Sequence, residues 1–224
     1  MSKFIIFSAL WWLVGNPFLA LLLLLIIIYV LDRQFIGIFP SLTRPLKRRR
    51  EAARLRDQIA LNANDVSAKL DLARNLIIRK KYEESLRYLG EIKDSYDDSA
   101  DYWNAVGTSR IMLGQSDQGE AHLLKALSIN PRVQYGEPWL RLADAFKDKD
   151  QSKALGYLEQ FQSIQSSSCE GYYLSGIIYQ SLGRSREAHE AFTQSLAIYR
   201  TLPKYRKKSE RKWALRSWVN KMKK

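Results

Sequence analysis

The sequence predicts an all-α chain, with an N-terminal transmembrane helix, an α-solenoid of about four helix-turn-helix repeats and a C-terminal capping helix. Three observations predict it. Residues 10–31 carry no charge, pairs of amphipathic segments recur from about residue 66 onward at a nearly fixed interval, and positive charge gathers at the two ends of the repeated stretch. With 224 residues, 46% of them hydrophobic and 26% charged, the composition is globular and the chain is long enough to bury a core.

Residues 1–39 read as a membrane anchor. The run LWWLVGNPFLALLLLLIIIYVL holds 22 residues without a charge, a helix of about 33 Å against a hydrocarbon core of roughly 30 Å. It has no polar face at any helical period, which argues against a core helix. Lys3 alone makes a poor basic region for a signal peptide, and no small-x-small cleavage site follows Leu31. Gly15-Asn16-Pro17 reads either as a kink in one long helix or as a helix start, with Asn16 at the N-cap and Pro17 at the first helical position. The second reading puts the span at about 17–33 and makes 4–14 a short interfacial helix anchored by Trp11 and Trp12.

Residues 40–64 form a basic connector and lead helix. Arg44, Lys47, Arg48, Arg49, Arg50, Arg54 and Arg56 follow the span while a single Lys precedes it. By the positive-inside rule this predicts a single-pass cell-membrane protein with a cytoplasmic repeat domain, and the same cations are candidates to face anionic lipid. Pro40 and Pro45 bracket a short break, after which REAARLRDQIAL is rich in helix formers.

Residues 65–200 carry the repeat. Ala73, Gly107, Ala143 and Gly176 each sit in the first segment of a pair, at separations of 34, 36 and 33. Four residues before each stands a long or aromatic residue: Lys69, Trp103, Trp139 and Tyr172. In the second segments Ser85, Gly119, Ala154 and Ala188 are followed four residues later by Leu89, Leu123, Leu158 and Phe192. A small residue where two helices cross lets the backbones approach, and a large one a turn later fills the groove beside the crossing. From Ala143 to Ala154 is 11 residues where the other repeats have 12, so the third repeat is one residue short in its turn.

These residues resemble the tetratricopeptide repeat (TPR), a helix–turn–helix unit with the pattern W-x2-L-G-x2-Y, then A-x3-F-x2-A, then P. The second repeat carries Trp103, Gly107, Gly114, Ala126 and Pro131, and the fourth carries Tyr172, Gly176, Tyr179, Gly183, Ala188 and Phe192. The resemblance implies eight antiparallel helices stacked as a right-handed superhelix with a concave face. Together with the anchor it suggests a membrane-anchored bacterial TPR protein.

Residues 201–224 form a basic amphipathic capping helix. Leu215, Trp218, Val219 and Met222 have the spacing of one apolar helix face, and a solenoid needs a cap over its last repeat. Formal charge is +1 over 1–43, +6 over 44–56, −4 over 57–199 and +10 over 200–224, for a total of +13. A nucleic-acid binder more often carries its basic stripe along the body, so nucleic acid is the weaker reading of the basic tail.

No catalytic or metal-binding pattern stands out, and the expectation is a non-enzyme without cofactors. Cys169, His122 and His189 make neither a disulfide framework nor a zinc constellation. The two histidines read as surface positions and Cys169 as a loop or core-edge residue. The acidic run Asp94, Asp97, Asp98 and Asp101 lacks the glycine and glutamate of a calcium loop and reads as an inter-repeat turn, with Ser99 or Asp101 capping the next helix.

What the resemblance implies for function is a groove, lined by the first helices, that holds a peptide of another protein. By position that groove presents Arg74, Ile78, Asn104, Thr108, Met112, Leu140, Asp144, Tyr173 and Ile177. The lining departs from the two-carboxylate clamp of chaperone-binding TPR domains and suits a hydrophobic or mixed peptide. The expected function is a membrane-anchored scaffold or adaptor. The alternatives are an extracytoplasmic TPR protein assisting envelope assembly or translocation, and nucleic-acid binding through the basic tail.

Overall fold

The computed structural model describes Trp12, residues 15–31 and residues 43–222. The interfacial helix expected at 4–14 lies outside the described residues apart from Trp12, as do the far end of the expected span and the stretch 32–42. Residues 1–47 and 48–224 form two compact units.

In the first unit, α1 runs Pro17–Leu31, 15 residues. The amide of Phe18 donates to Asn16 Oδ1 at 2.9 Å, and Gly15 holds φ at +68°. These contacts make Gly15-Asn16-Pro17 a helix start and not a kink. That is the second of the two readings, and what needs correction is the expectation of an N-terminal transmembrane helix. Pro17 has no N–H to continue a helix backwards and Gly15 has left-handed backbone, so the uncharged run is not one helix. Its 15 described residues span about 22 Å, against a hydrocarbon core of roughly 30 Å. Among the described residues no helix is long and apolar enough to cross a membrane, and the single-pass cell-membrane localisation falls with it.

Helix α2 runs Thr43–Leu61. Its part in the second unit buries Ala52 and Leu55 against Ala68, Leu72 and Leu76. Two polar ties hold it there: Asn75 donates to Glu51 at 3.1 Å and Arg56 to Glu84 at 2.6 Å.

Four antiparallel pairs follow: α3 (Val66–Ile78) with α4 (Tyr82–Glu91), α5 (Ala100–Met112) with α6 (Ser116–Ile129), α7 (Glu137–Phe146) with α8 (Gln151–Ile164), and α9 (Cys169–Ser181) with α10 (Ser185–Thr201). Each pair packs at the small residues that set the sequence register. A Cβ added at Gly107 would lie 2.7 Å from the Leu123 side chain, and one at Gly119 would lie 2.7 Å from Ile111. Ala143 and Ala154 are fully buried, and Ser85 donates its hydroxyl to the Ala73 carbonyl at 3.0 Å. Ser85 thus keeps a small-residue position by bonding the partner backbone. Leu89, Leu123, Leu158 and Phe192 are each at most 2% exposed beside these crossings.

The turns within pairs explain the short third repeat. Lys80, Gly114 and Gly183, seven residues after the small residue of the first helix, have φ of +61°, +80° and +72°. In the third pair the equivalent residue, Asp150, has extended backbone at φ −145° and caps α8 by accepting from Lys153 N at 3.0 Å. The 36-residue spacing into this pair is taken up by Val133–Gly136, where Gln134, Tyr135 and Gly136 take φ of 49°, 56° and 79° in succession. Ser99 caps α5 by accepting from Tyr102 N at 3.3 Å.

Helix α11, Lys204–Met222, closes the array. Its buried residues are Ala214 and Ser217, not the apolar quartet singled out by spacing. Ser217 donates to Ser195 Oγ at 2.8 Å, and Ser195 donates to the Cys169 carbonyl at 3.1 Å, so one chain of bonds joins α11, α10 and α9. Small side chains let α11 approach closely enough for that, whereas Leu215, Trp218, Val219 and Met222 face outward with 57, 52, 43 and 64% exposure.

Candidate protein-binding groove

The first helices α3, α5, α7 and α9 present one common face. Two adjoining cavities lie along it. The first, of about 350 Å³, is lined by Arg74, Ile78, Asn104 and Thr108 together with Asp101, Gln134, Glu137 and Arg141. The second, of about 320 Å³, takes in Leu140 and Asp144 with Phe161, Tyr135, Glu170 and Glu210, and shares Gln134, Glu137 and Arg141 with the first. Six of the nine expected groove residues are thereby brought together. Met112, Ile177 and Tyr173 line neither cavity. Tyr173 instead packs its ring against Phe192 and Trp213, with centroids 6.2 and 5.3 Å away.

A polar lattice sets the first cavity. Arg74 reaches Asp101 at 3.3 Å and Asp71 at 3.5 Å, and Gln134 donates to Asp101 at 3.0 Å. Arg141 donates both to the Thr108 hydroxyl and to Glu137. Each cation of this cavity is thus held by a carboxylate, and the Asn104 side chain accepts from Thr108 at 3.4 Å. Thr108 is buried at its floor, at 3% exposure, whereas Leu140, 8% exposed, belongs to the second cavity.

The second cavity is more acidic. Burial raises the Glu170 carboxyl from its ordinary 4.5 to about 7; Lys212 opposes this, and the negative charges of Glu210, Asp144 and Glu137 add to it. Glu210 turns inward to accept from the Cys169 amide at 3.1 Å, at the N-terminus of α9. Tyr135 stands 81% exposed at the rim, displayed by the left-handed stretch 134–136.

Sequence reasoning placed Asp144 in the groove but missed further carboxylates there. Asp101, Glu137 and Glu170 each precede the register residue Gly107, Ala143 or Gly176 by six, a signal present in the sequence. Tyr135 had no such signal, because it lies in the one stretch that breaks the period.

Other singled-out residues serve packing. His122 stacks on Trp103 with centroids 5.2 Å apart, and burial lowers its pKa. His189 is exposed. Cys169 opens α9 fully buried, and burial pushes its thiol up to about 11, with Glu210 adding to the rise. Among the described residues no group of three or more His, Cys, Asp or Glu could hold a metal ion. Of the basic cluster, Arg44, Lys47, Arg49, Arg50 and Arg54 are exposed, while Arg48 and Arg56 are half-buried and Arg56 is paired with Glu84.

Residues 170–201, which are α9 and α10, match the tetratricopeptide repeat family model. The fold is a tetratricopeptide-repeat solenoid. The TPR pairs superpose on a crystal structure of MamA with a TM-score of 0.60 at 18% identity, over 72% of this chain and 96% of that one. A thermophilic TPR protein of Thermus thermophilus, TTC0263, matches with a TM-score of 0.56 at 18% identity, over 74% of this chain and 88% of that one. YrrB, described as a TPR protein with an unusual peptide-binding site, matches with a TM-score of 0.56 at 15% identity, over 70% and 80%. No curated protein matches this chain in sequence.

Proposed function

We propose that the chain is a scaffold or adaptor that binds a partner protein by holding an extended peptide along the face of α3, α5, α7 and α9. The observation that carries this reading is the continuity of the two cavities through Gln134, Glu137 and Arg141. The groove offers buried apolar floor at Leu140 and Phe161 for anchoring side chains, and paired charges along its rim to set register. In this reading α2 is a lead helix on the first repeat, residues 65–200 are the binding array and residues 201–224 cap it. The chain contributes no chemistry of its own.

Site-specific photocrosslinking tests it. A photoreactive residue at Asn104 or Tyr135 is expected to capture a partner from cell extract, and one at His189, on an exposed part of α10, is not. Arg141→Ala, which frees Glu137 and Thr108, is expected to weaken the captured complex by tenfold or more. Equal capture from both faces would refute the groove.

A further inference from the structure

Helix α11 packs as a first helix packs, yet no second helix covers it among the described residues. In α9, Gly171 meets Phe161 of the preceding pair, while Cys169 and Gly176, on the far side, meet α10 through Ser195 and Phe192. In α11, Ala214 and Ser217 take the inward role. At 100° per residue, Leu215, Val219 and Met222 then lie on the far side, where each earlier first helix receives its partner, with Trp218 at the margin. These four are 57, 43, 64 and 52% exposed.

The same side continues towards the helix start as Lys204, Lys208 and Lys212, all exposed. The one carboxylate of α11, Glu210, is turned inward to the Cys169 amide, so the outward face carries cations alone. A helix that lies in a bilayer interface separates apolar and charged residues around its axis. On the outward face of α11 they separate along the axis, with Lys204, Lys208 and Lys212 in the first turns and Leu215, Val219 and Met222 in the last two, where Arg216 and Lys221 stand elsewhere around the helix. That pattern matches another helix with the complementary ends. A second copy of α11 would set eight cations against eight.

We propose that this face docks an acidic amphipathic helix of a partner protein, which takes the place of the second helix of a fifth pair. Its apolar residues cover Leu215, Val219 and Met222, and its carboxylates meet Lys204, Lys208 and Lys212. Second helices here run antiparallel to first ones, so the docked helix carries its apolar half first and its acidic half last.

The test uses the full chain and a labelled synthetic 18-residue helical peptide, with leucines on one face of its N-terminal half and glutamates in its C-terminal half, followed by fluorescence anisotropy. Saturable, salt-sensitive binding is expected, weakened at least tenfold in Leu215→Gln/Val219→Gln and in Lys204→Glu/Lys208→Glu. All four positions are exposed, and unchanged helical circular dichroism confirms that the variants fold. Asn104→Ala, in the groove, is expected to leave this binding unchanged, which separates the proposal from the groove reading. Four results overturn it: equal binding by the double variants, equal binding of a peptide with lysine in place of glutamate, loss in Asn104→Ala, or no peptide binding. In the last case, variant-sensitive binding to phosphatidylglycerol vesicles would assign the face to lipid, and variant-sensitive self-association would assign it to a second copy.

Discussion

Gly176 shows how much of this fold rests on single atoms. A Cβ there would overlap the Phe192 ring, which is itself buried at 2% exposure and cannot retreat. Gly176→Ala is expected to destabilise the chain by about 1–3 kcal/mol, read as a lowered denaturation midpoint. Lys80 is the opposite case. It holds φ at +61° where the second and fourth pairs use glycine, so Lys80→Gly relieves the strain and is expected to raise stability by up to about 1 kcal/mol. Glu170 links stability to pH. Its carboxyl is raised in the folded chain, so between 4.5 and about 7 the unfolded state ionises first and stability falls as pH rises through that window. The loss is no more than about 3 kcal/mol. Glu170→Gln is expected to flatten the dependence over that range and to stabilise the chain at pH 8, measured by urea titration at several pH values. The register residues were legible because size at a crossing is a property of the residue alone. The raised carboxyl was not, because it depends first on how deeply the stacking buries it and then on which charges are brought near.

At the scale of elements, the four pairs were readable from period and small residues, and even the missing residue in the third turn was visible as a spacing of 11. What that residue does was not visible. Its loss removes the left-handed position and lets Asp150 turn directly into α8. Helix α11 shows the limit of periodicity. The spacing of Leu215, Trp218, Val219 and Met222 identifies an apolar face but not what lies over it. Ala214 and Ser217, also three apart, won the contact because small side chains permit the Ser217–Ser195 bond. Replacing Ala214 with Phe is expected to lift α11 from α10 and speed amide exchange in both. Exchange in α3–α6 should stay unchanged, because a solenoid is coupled only between neighbours. In α1 the apolar composition was readable from the uncharged run and the start at Pro17 from Gly15-Asn16-Pro17.

For the whole repeat unit, the segregation of charge is the main result. The stretch 57–199 is mildly acidic while both flanks are strongly basic, and the groove inherits the acidic side through Asp101, Glu137 and Glu170. Partner segments with basic and apolar residues are therefore expected to bind the groove more tightly at low ionic strength, and the dependence should weaken in Glu137→Gln. Titrating an isolated partner peptide across roughly 50–300 mM salt checks it. That cavities lie along the face of the first helices was foreseeable because first helices of a solenoid share a face. Its rim at Tyr135 was not, since aperiodic stretches carry no phase from which to place a residue.

The bond chain from Ser217 through Ser195 to the Cys169 carbonyl also has a mechanical side. Hydrogen bonds have a short reach, so stretching these by about 1 Å breaks them, whereas apolar contacts between helices slide and reform. The last helix is therefore a brittle latch on an otherwise compliant spring. Under tension applied at the C-terminal end the latch opens first, in a single small step, and the pairs behind it then yield one after another.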